Sequence, residues 1–331
     1  MDFENNNLKN ASVEVDTTTA SDISSKPITW LLNPYLPIGT VTILLGDGGL
    51  GKSFATLAIA AAISNGQLLP GMEKPFPASD VIIQNAENSW ASVIKPRLET
   101  LGADCSKIHS INDTVKRLTL TDERIEVAIR KHNARYVVID PIQSYLSENF
   151  SMNRAESVRP ALMHLERVAE RTQSAIMVVG HISKGRGKAQ HKGLGSVDIV
   201  NAVPSVLLLG RAEGLEPDER AISHLKGNFT ELGSTLIFRL NKTDGFQWRG
   251  ESDITPDDII NYNAKKEKED KSKIGEAADF LSEILADGAL PTAEAIELAE
   301  EAGIAKRTLE RARKEMGIKS KKVDGVWTMF L

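Results

Sequence analysis

The segment Gly46-Asp-Gly-Gly-Leu-Gly-Lys-Ser53 sets four glycines ahead of a lysine and a hydroxyl residue, and these types in this order can hold a triphosphate. Glycines let the backbone curl until successive N–H groups face the phosphates, and the helix that follows adds its N-terminus. Lys52 then neutralises the β and γ phosphates, and the Ser53 hydroxyl ligates magnesium. The expected cofactors are ATP and Mg2+. The expected binding residues are Gly46, Asp47, Gly48, Gly49, Leu50, Gly51, Lys52, Ser53 and Phe54.

Three further groups could complete the chemistry. Arg135-Tyr-Val-Val-Ile-Asp140 ends an apolar run in a carboxylate, so a second strand tip would present Asp140, with Ser53, to the metal. An Asp before Pro141 also suits an ordinary turn. Val81-Ile-Ile-Gln-Asn-Ala-Glu87 puts another carboxylate just past a strand. If that strand lies beside the P-loop strand, Glu87 can orient and polarise an attacking water. His181 follows the run 175–179 and would stand at the same sheet edge, as a γ-phosphate sensor or as a histidine held by loop neighbours. His109, His132, His164, His191 and His224 have no paired ligand spacing, which argues against a catalytic transition metal. Beyond His181, Lys184, Arg186, Lys188 and Lys192 lie in a glycine-rich stretch without an acid. Such a loop can grip a phosphate backbone or simply cross solvent.

The elements that must position these groups are legible as short apolar runs at 41–45, 81–83, 136–139, 175–179 and 206–209, separated by helical patterns. Runs apolar on both faces and split by helices predict a mostly parallel sheet covered on both sides. The shorter segments 221–226, 234–240 and 245–249 read as added antiparallel strands. Residues 1–25 are polar and aperiodic, a disordered tail. Around 263–275 the composition collapses to Lys and Glu, which marks a charged linker or a helix start and sets a domain boundary. Beyond it, 292–302 and 306–316 have helical spacing about Gly303, and 319–327 could form a wing. This is a helix-turn-helix pattern with Arg307, Arg311, Lys314 and Lys321 on its basic side. From Gly303 onward there are eight Lys or Arg against three Asp or Glu, so the module suits DNA, or else a protein partner through a solvated basic face. Ala305 stands where a Ser or Thr helix cap is expected.

Composition narrows the classes. The 331 residues are 41% hydrophobic and 26% charged, enough to bury a core and too many for one small module. One cysteine, Cys105, excludes a disulfide framework and fits a reducing cytoplasm. The acidic, amide-rich start lacks a signal-peptide pattern, and no apolar run approaches the roughly 20 residues that span a bilayer. A cytoplasmic protein without membrane attachment is expected. The net charge of −5 makes any attraction to nucleic acid local rather than global.

Over about residues 30–240, these motifs resemble the RecA-like ATPases of the RepA type, ring-helicase relatives common in plasmids, phages and prophages. The residues that carry the resemblance are the P-loop, Ala86-Glu87, Asp140-Pro141, Met152-Asn153-Arg154, Gly180-His181 through Gly185, Gly195-Ser196 and Lys226-Gly-Asn228. The resemblance implies a hexameric or filament-forming ATPase in which one subunit completes its neighbour's site. Related ring helicases place a lysine and an arginine finger two residues apart; here Asn228 follows Lys226, so that duty would fall to Lys226, Arg211 or both, on strands expected at the far side of the core from the P-loop.

The whole reads as an α/β RecA-like P-loop NTPase with a mostly parallel central sheet and a small C-terminal winged helix-turn-helix domain. Its divisions are a tail at 1–25, an ATPase core at 26–262, a linker at 263–275 and the winged module at 276–331. The expected catalytic residues are Glu87, Lys52, Asp140, His181, Lys226 and Arg211. The expected DNA contacts are Lys184, Arg186, Lys188, Lys192, Arg307, Arg311, Lys314 and Lys321. The leading function is a DNA-dependent ATPase, a helicase or translocase in replication or recombination of a mobile element. The rival is a non-translocating ATP-dependent DNA-binding switch, a regulator or loader. Partners would be single-stranded DNA in the core assembly, duplex at the C-terminal module, and further copies of the chain in a homo-hexamer.

Overall fold

Residues 41–46 are buried at every position, so the strand they form must be covered on both faces. The computed structural model of the protein describes residues 16–146, 155–181, 197–286 and 288–330. Residues 16–29 are exposed, with one 3-10 turn at Ala20–Asp22. A short antiparallel pair, β1 (Trp30–Leu32) and β2 (Leu36–Pro37), then leads into a nine-stranded sheet.

Six of its strands run parallel: β3 (Val41–Gly46), β4 (Val81–Asn85), β5 (Ile108–His109), β6 (Tyr136–Asp140), β7 (Ala175–His181) and β8 (Ser205–Gly210). Three more, β9 (Glu219–Gly227), β10 (Thr235–Asn241) and β11 (Gly245–Ser252), extend the sheet antiparallel beyond β8. The order across the sheet is β11-β10-β9-β8-β3-β7-β6-β4-β5. The P-loop strand β3 is therefore central, flanked by β7 and β8.

Alternation along β3 divides the core in two. Val41, Ile43 and Leu45 pack on one face with α3 (Arg124–His132) and α4 (Ala155–Thr172). Leu44 packs on the other with α1 (Lys52–Asn65) and α2 (Lys95–Thr100). Helix α1 is apolar on nearly every side and buried from Ala55 to Ser64, as a helix enclosed between a sheet and its neighbours must be. A short helix, α5 (Val197–Ala202), precedes β8.

The charged stretch 263–275 is a continuous helix rather than an open linker. Helix α6 (Pro256–Ile284) starts at a capping box in which the Thr255 hydroxyl accepts from the Asp258 N–H and the Asp258 carboxylate accepts from the Thr255 N–H. Its buried positions fall at its two ends: Ile259 joins the sheet's core, and Ile274, Ala277 and Leu281 join a separate one. Between them the helix is solvated and carries the Lys266–Glu269 and Lys271–Glu267 pairs, so the same composition that suggests a linker supports a helix here. The second core is closed by β12 (Leu290–Pro291), α7 (Thr292–Glu301), α8 (Lys306–Glu315), β13 (Lys319–Val323) and β14 (Val326–Phe330), with the strands in the order β12-β14-β13. Among the described residues no helix is long and apolar enough to cross a membrane.

Candidate nucleotide-binding and catalytic site

The site sits where parallel strands end. Gly46 closes β3 so near β8 that a Cβ there would stand 2.5 Å from the Leu209 carbonyl oxygen, which leaves room for glycine alone. Gly51 caps α1 in the left-handed region, φ +94°, and a Cβ on it would meet Leu240 at 2.7 Å. No side chain caps this helix start, so its first N–H groups remain available to an anion. Space above Gly48 and Gly49 is open: a Cβ added at either position would meet no atom within 4 Å. Phe54, in the first turn, lies under the Arg97 guanidinium of α2 at 4.2 Å.

Lys52 is buried, and its ammonium donates to the carbonyls of Gly46 and Asp47, both at 2.8 Å. Burial lowers its pKa, against the opposing pull of Asp140, Asp47 and Glu87. Ser53 donates its hydroxyl to Asp140 Oδ2 at 2.5 Å. Asp140 is itself buried, and burial raises its pKa while the Ser53 bond pulls the other way. Hydroxyl and carboxylate oxygens in contact form a hard donor set that fits Mg2+.

His181, the last residue of β7, joins these groups to Glu87. The Lys52 ammonium stands 3.2 Å from His181 Nδ1 and has only protons to offer, so Nδ1 accepts. The ring proton is then on Nε2, which faces Glu87 Oε1 at 3.6 Å. Lys52, Ser53, Asp140, His181 and Glu87 thus come together from three strand ends and one helix.

Two expectations about position are corrected. Strand β4 does not lie beside the P-loop strand: β7 and β6 intervene, and Glu87 reaches the site because the loop after β4 turns back over the edge. The Lys226 and Arg211 expected together at the far side of the core are at opposite edges of the sheet. Arg211 follows the end of β8, whose Leu209 pairs with Gly46, so it stands at the nucleotide edge, near enough to Arg220 that, after burial, it is the next cause lowering that residue's pKa. Lys226 pairs with Val206 near the start of β8, and its ammonium donates to the carbonyls of Val200 and Val203 at 3.1 and 2.7 Å. It closes the end of α5 rather than facing outward.

Asn85, unremarked in the sequence, organises the Glu87 loop. It donates to Asp140 Oδ2 at 3.2 Å, and its Oδ1 accepts from the N–H groups of Glu87 and Asn88 at 3.2 and 2.8 Å. The signal was an Asn at a strand end followed by Ala-Glu-Asn, a side chain suited to holding its own turn. Asn85 is also in register with Asp140. Lys184, Arg186, Lys188, Lys192, Met152, Asn153, Arg154, Gly195 and Ser196 lie outside the described residues. In the C-terminal unit, Arg307, Lys314 and Lys321 are exposed, whereas the exposed Arg311 faces α6 and pairs with Asp270 at 3.3 Å. Ala305 precedes α8 without a side-chain cap.

A strand, a glycine-rich loop and an uncapped helix, met by a serine–aspartate pair, are the parts of a P-loop nucleotide site. The profile of an AAA-domain family, AAA_25, matches residues 8–187, more than half of the 331 residues. The chain belongs to this AAA-domain family. It has the RecA-like P-loop fold and is similar to proteins named DNA repair protein RadA. In Pseudomonas aeruginosa the identity is 27% over 234 residues, 69% of this chain and 46% of the relative. In Halalkalibacterium halodurans it is 26% over 235 residues, 70% and 46%. In Bacillus subtilis it is 26% over 148 residues, 44% and 28%. The aligned region spans less than half the length of these relatives.

Proposed function

We propose that the chain is an ATP-hydrolysing, DNA-dependent RecA-like ATPase that moves on or assembles around DNA, a helicase or translocase in replication, recombination or repair. The observation that carries this reading is the convergence of Lys52, the Ser53–Asp140 pair and the His181–Glu87 pair at one sheet edge. In this reading the P-loop N–H groups and Lys52 bind the phosphates, and Ser53 and Asp140 hold Mg2+, which offsets phosphate charge when bound. Glu87 orients and deprotonates the attacking water, and His181 links it to Lys52 so that a change at the γ-phosphate reaches the base. Arg211, at the nucleotide edge, is the cation assigned to a neighbouring copy's phosphate in a homo-hexamer.

The relatives' name supports DNA as the partner. We assign residues 26–262 to the ATPase core and 276–331 to a winged helix-turn-helix module, a division supported by the separate apolar core of the C-terminal unit. Arg307, Lys314 and Lys321 are its assigned duplex contacts, and the assigned strand contacts of the core are Lys184, Arg186, Lys188 and Lys192.

The test measures ATP turnover with and without DNA, together with strand displacement on a forked duplex, for the full chain and for a truncation after Tyr262. DNA-stimulated turnover with displacement, and DNA affinity that falls on truncation, is the expected result. Stimulation without displacement or movement would make the protein a DNA-binding switch. Unchanged affinity across a salt titration of the truncated chain would move every DNA contact into the core.

A further inference from the structure

At the sheet edge away from the P-loop, three side chains meet that play no part in the nucleotide site. Asp80 immediately precedes β4, His109 ends β5 and His132 ends α3. Their donor atoms all lie within 4.8 Å of one another. Asp80 Oδ1 stands 2.6 Å from His109 Nε2, and the His109 and His132 rings stack with centroids 3.7 Å apart and planes 21° from parallel. All three are half-buried, which leaves a path from solvent and an open side. No described residue hydrogen-bonds the His132 ring, so the unprotonated nitrogen of its neutral form is free to donate its lone pair.

Local sequence carries no sign of this cluster, because 23 residues separate the two histidines and 29 separate His109 from Asp80. The fold brings them together. Strands β4 and β5 pair Val81 with Ile108 and Ile82 with His109, and the Arg135 N–H donates to the Asp80 carbonyl at 3.0 Å. The backbones that carry Asp80 and His109 are therefore fixed, His132 is the last residue of helix α3, and side-chain rotation is what adjusts the three groups.

Two imidazoles and one carboxylate suit a borderline divalent transition ion, whereas Mg2+ prefers oxygen donors throughout. Zinc bound at about 2.0–2.1 Å sets its ligand atoms about 3.3 Å apart in a tetrahedron. The Asp80–His109 pair would open by about 0.7 Å and His132 would turn in to meet it, with the fourth position left to water. We propose that Asp80, His109 and His132 bind a divalent transition-metal ion of the zinc class, which clips β4, β5 and α3 together at the edge opposite the nucleotide. Its occupancy is independent of ATP chemistry.

Zinc chloride titrated calorimetrically into the full chain, previously stripped with a chelator, tests this directly, with ATP binding followed in parallel as a report on folding. One equivalent bound at micromolar affinity or tighter, with a rise in Tm, is expected. His132→Gln, His109→Gln and Asp80→Asn should each weaken zinc by more than about tenfold, as losses even around a metal's ligands do, while ATP affinity is unchanged. Mg2+ in excess should not displace the zinc. Zinc affinity that is the same in the wild type and in a variant lacking both histidines would mean an adventitious ion only and would overturn the proposal, as would no binding in the wild type.

Discussion

Lys52 and Lys226 are nearly the same object in isolation. Each is a lysine whose ammonium donates to two backbone carbonyls, Gly46 and Asp47 for one, Val200 and Val203 for the other. Burial lowers the pKa of both. The difference is in what else surrounds them. Asp140, Asp47 and Glu87 all act on Lys52 and His181 stands within 3.2 Å of it, whereas burial alone acts on Lys226. A buried cation among convergent carboxylates can respond to an arriving anion; a half-buried cation among carbonyls holds a helix end. Residue type does not separate the two roles, and the charge environment does.

Removing each lysine sharpens the contrast. Lys52→Ala should weaken ATP binding by about 2–5 kcal/mol, the usual loss when one partner of a buried charged contact goes, read by equilibrium binding of a fluorescent nucleotide. Lys226→Met should leave ATP binding and turnover per folded molecule intact while costing about 1–3 kcal/mol of stability for carbonyls left unpaired, read by chemical denaturation. The comparison breaks if Lys226→Met binds ATP normally, loses turnover and regains it on mixing with Lys52→Ala. That pattern requires Lys226 to act on a neighbouring copy's nucleotide.

A third effect concerns Glu166 on α4, whose carboxyl burial pushes its pKa up to about 7 from 4.5. The folded protein then keeps a proton that the unfolded chain has released, so stability falls as pH rises from about 4.5 to about 7 and levels off above. Glu166→Gln should flatten this window and raise Tm most above pH 7, measured by thermal melts from pH 5 to 8. A variant whose melting follows pH as the wild type does would remove Glu166 from the account.

How much of this the sequence carries depends on distance along the chain. The P-loop is legible because eight contiguous residues contain both the turn and its chemistry. Asp140 is legible because an apolar run ends in it. Glu87 is found by spacing, yet its strand is three places from β3 instead of adjacent, since strand order is decided by packing that no local pattern records. The place of Lys226 is hidden for the same reason: its partners are 23 and 26 residues away, in and just after a short helix. Asp80, His109 and His132 escape entirely, because two-residue β5 is too brief for periodicity to reveal its pairing. The stretch 263–275 misleads in the opposite sense, since charge excludes it from a core without excluding it from a helix whose ends alone are buried.

The central claim is that the edge bearing Lys52, Asp140, His181 and Glu87 hydrolyses ATP, and Glu87→Gln tests it most directly. Nucleotide affinity and single-turnover hydrolysis are measured on the same preparation of the full chain. Retained ATP affinity with hydrolysis slowed about 10²–10⁴-fold, the range for loss of a general base, is the predicted result. Hydrolysis at the wild-type rate would contradict it and leave Glu87 a surface carboxylate.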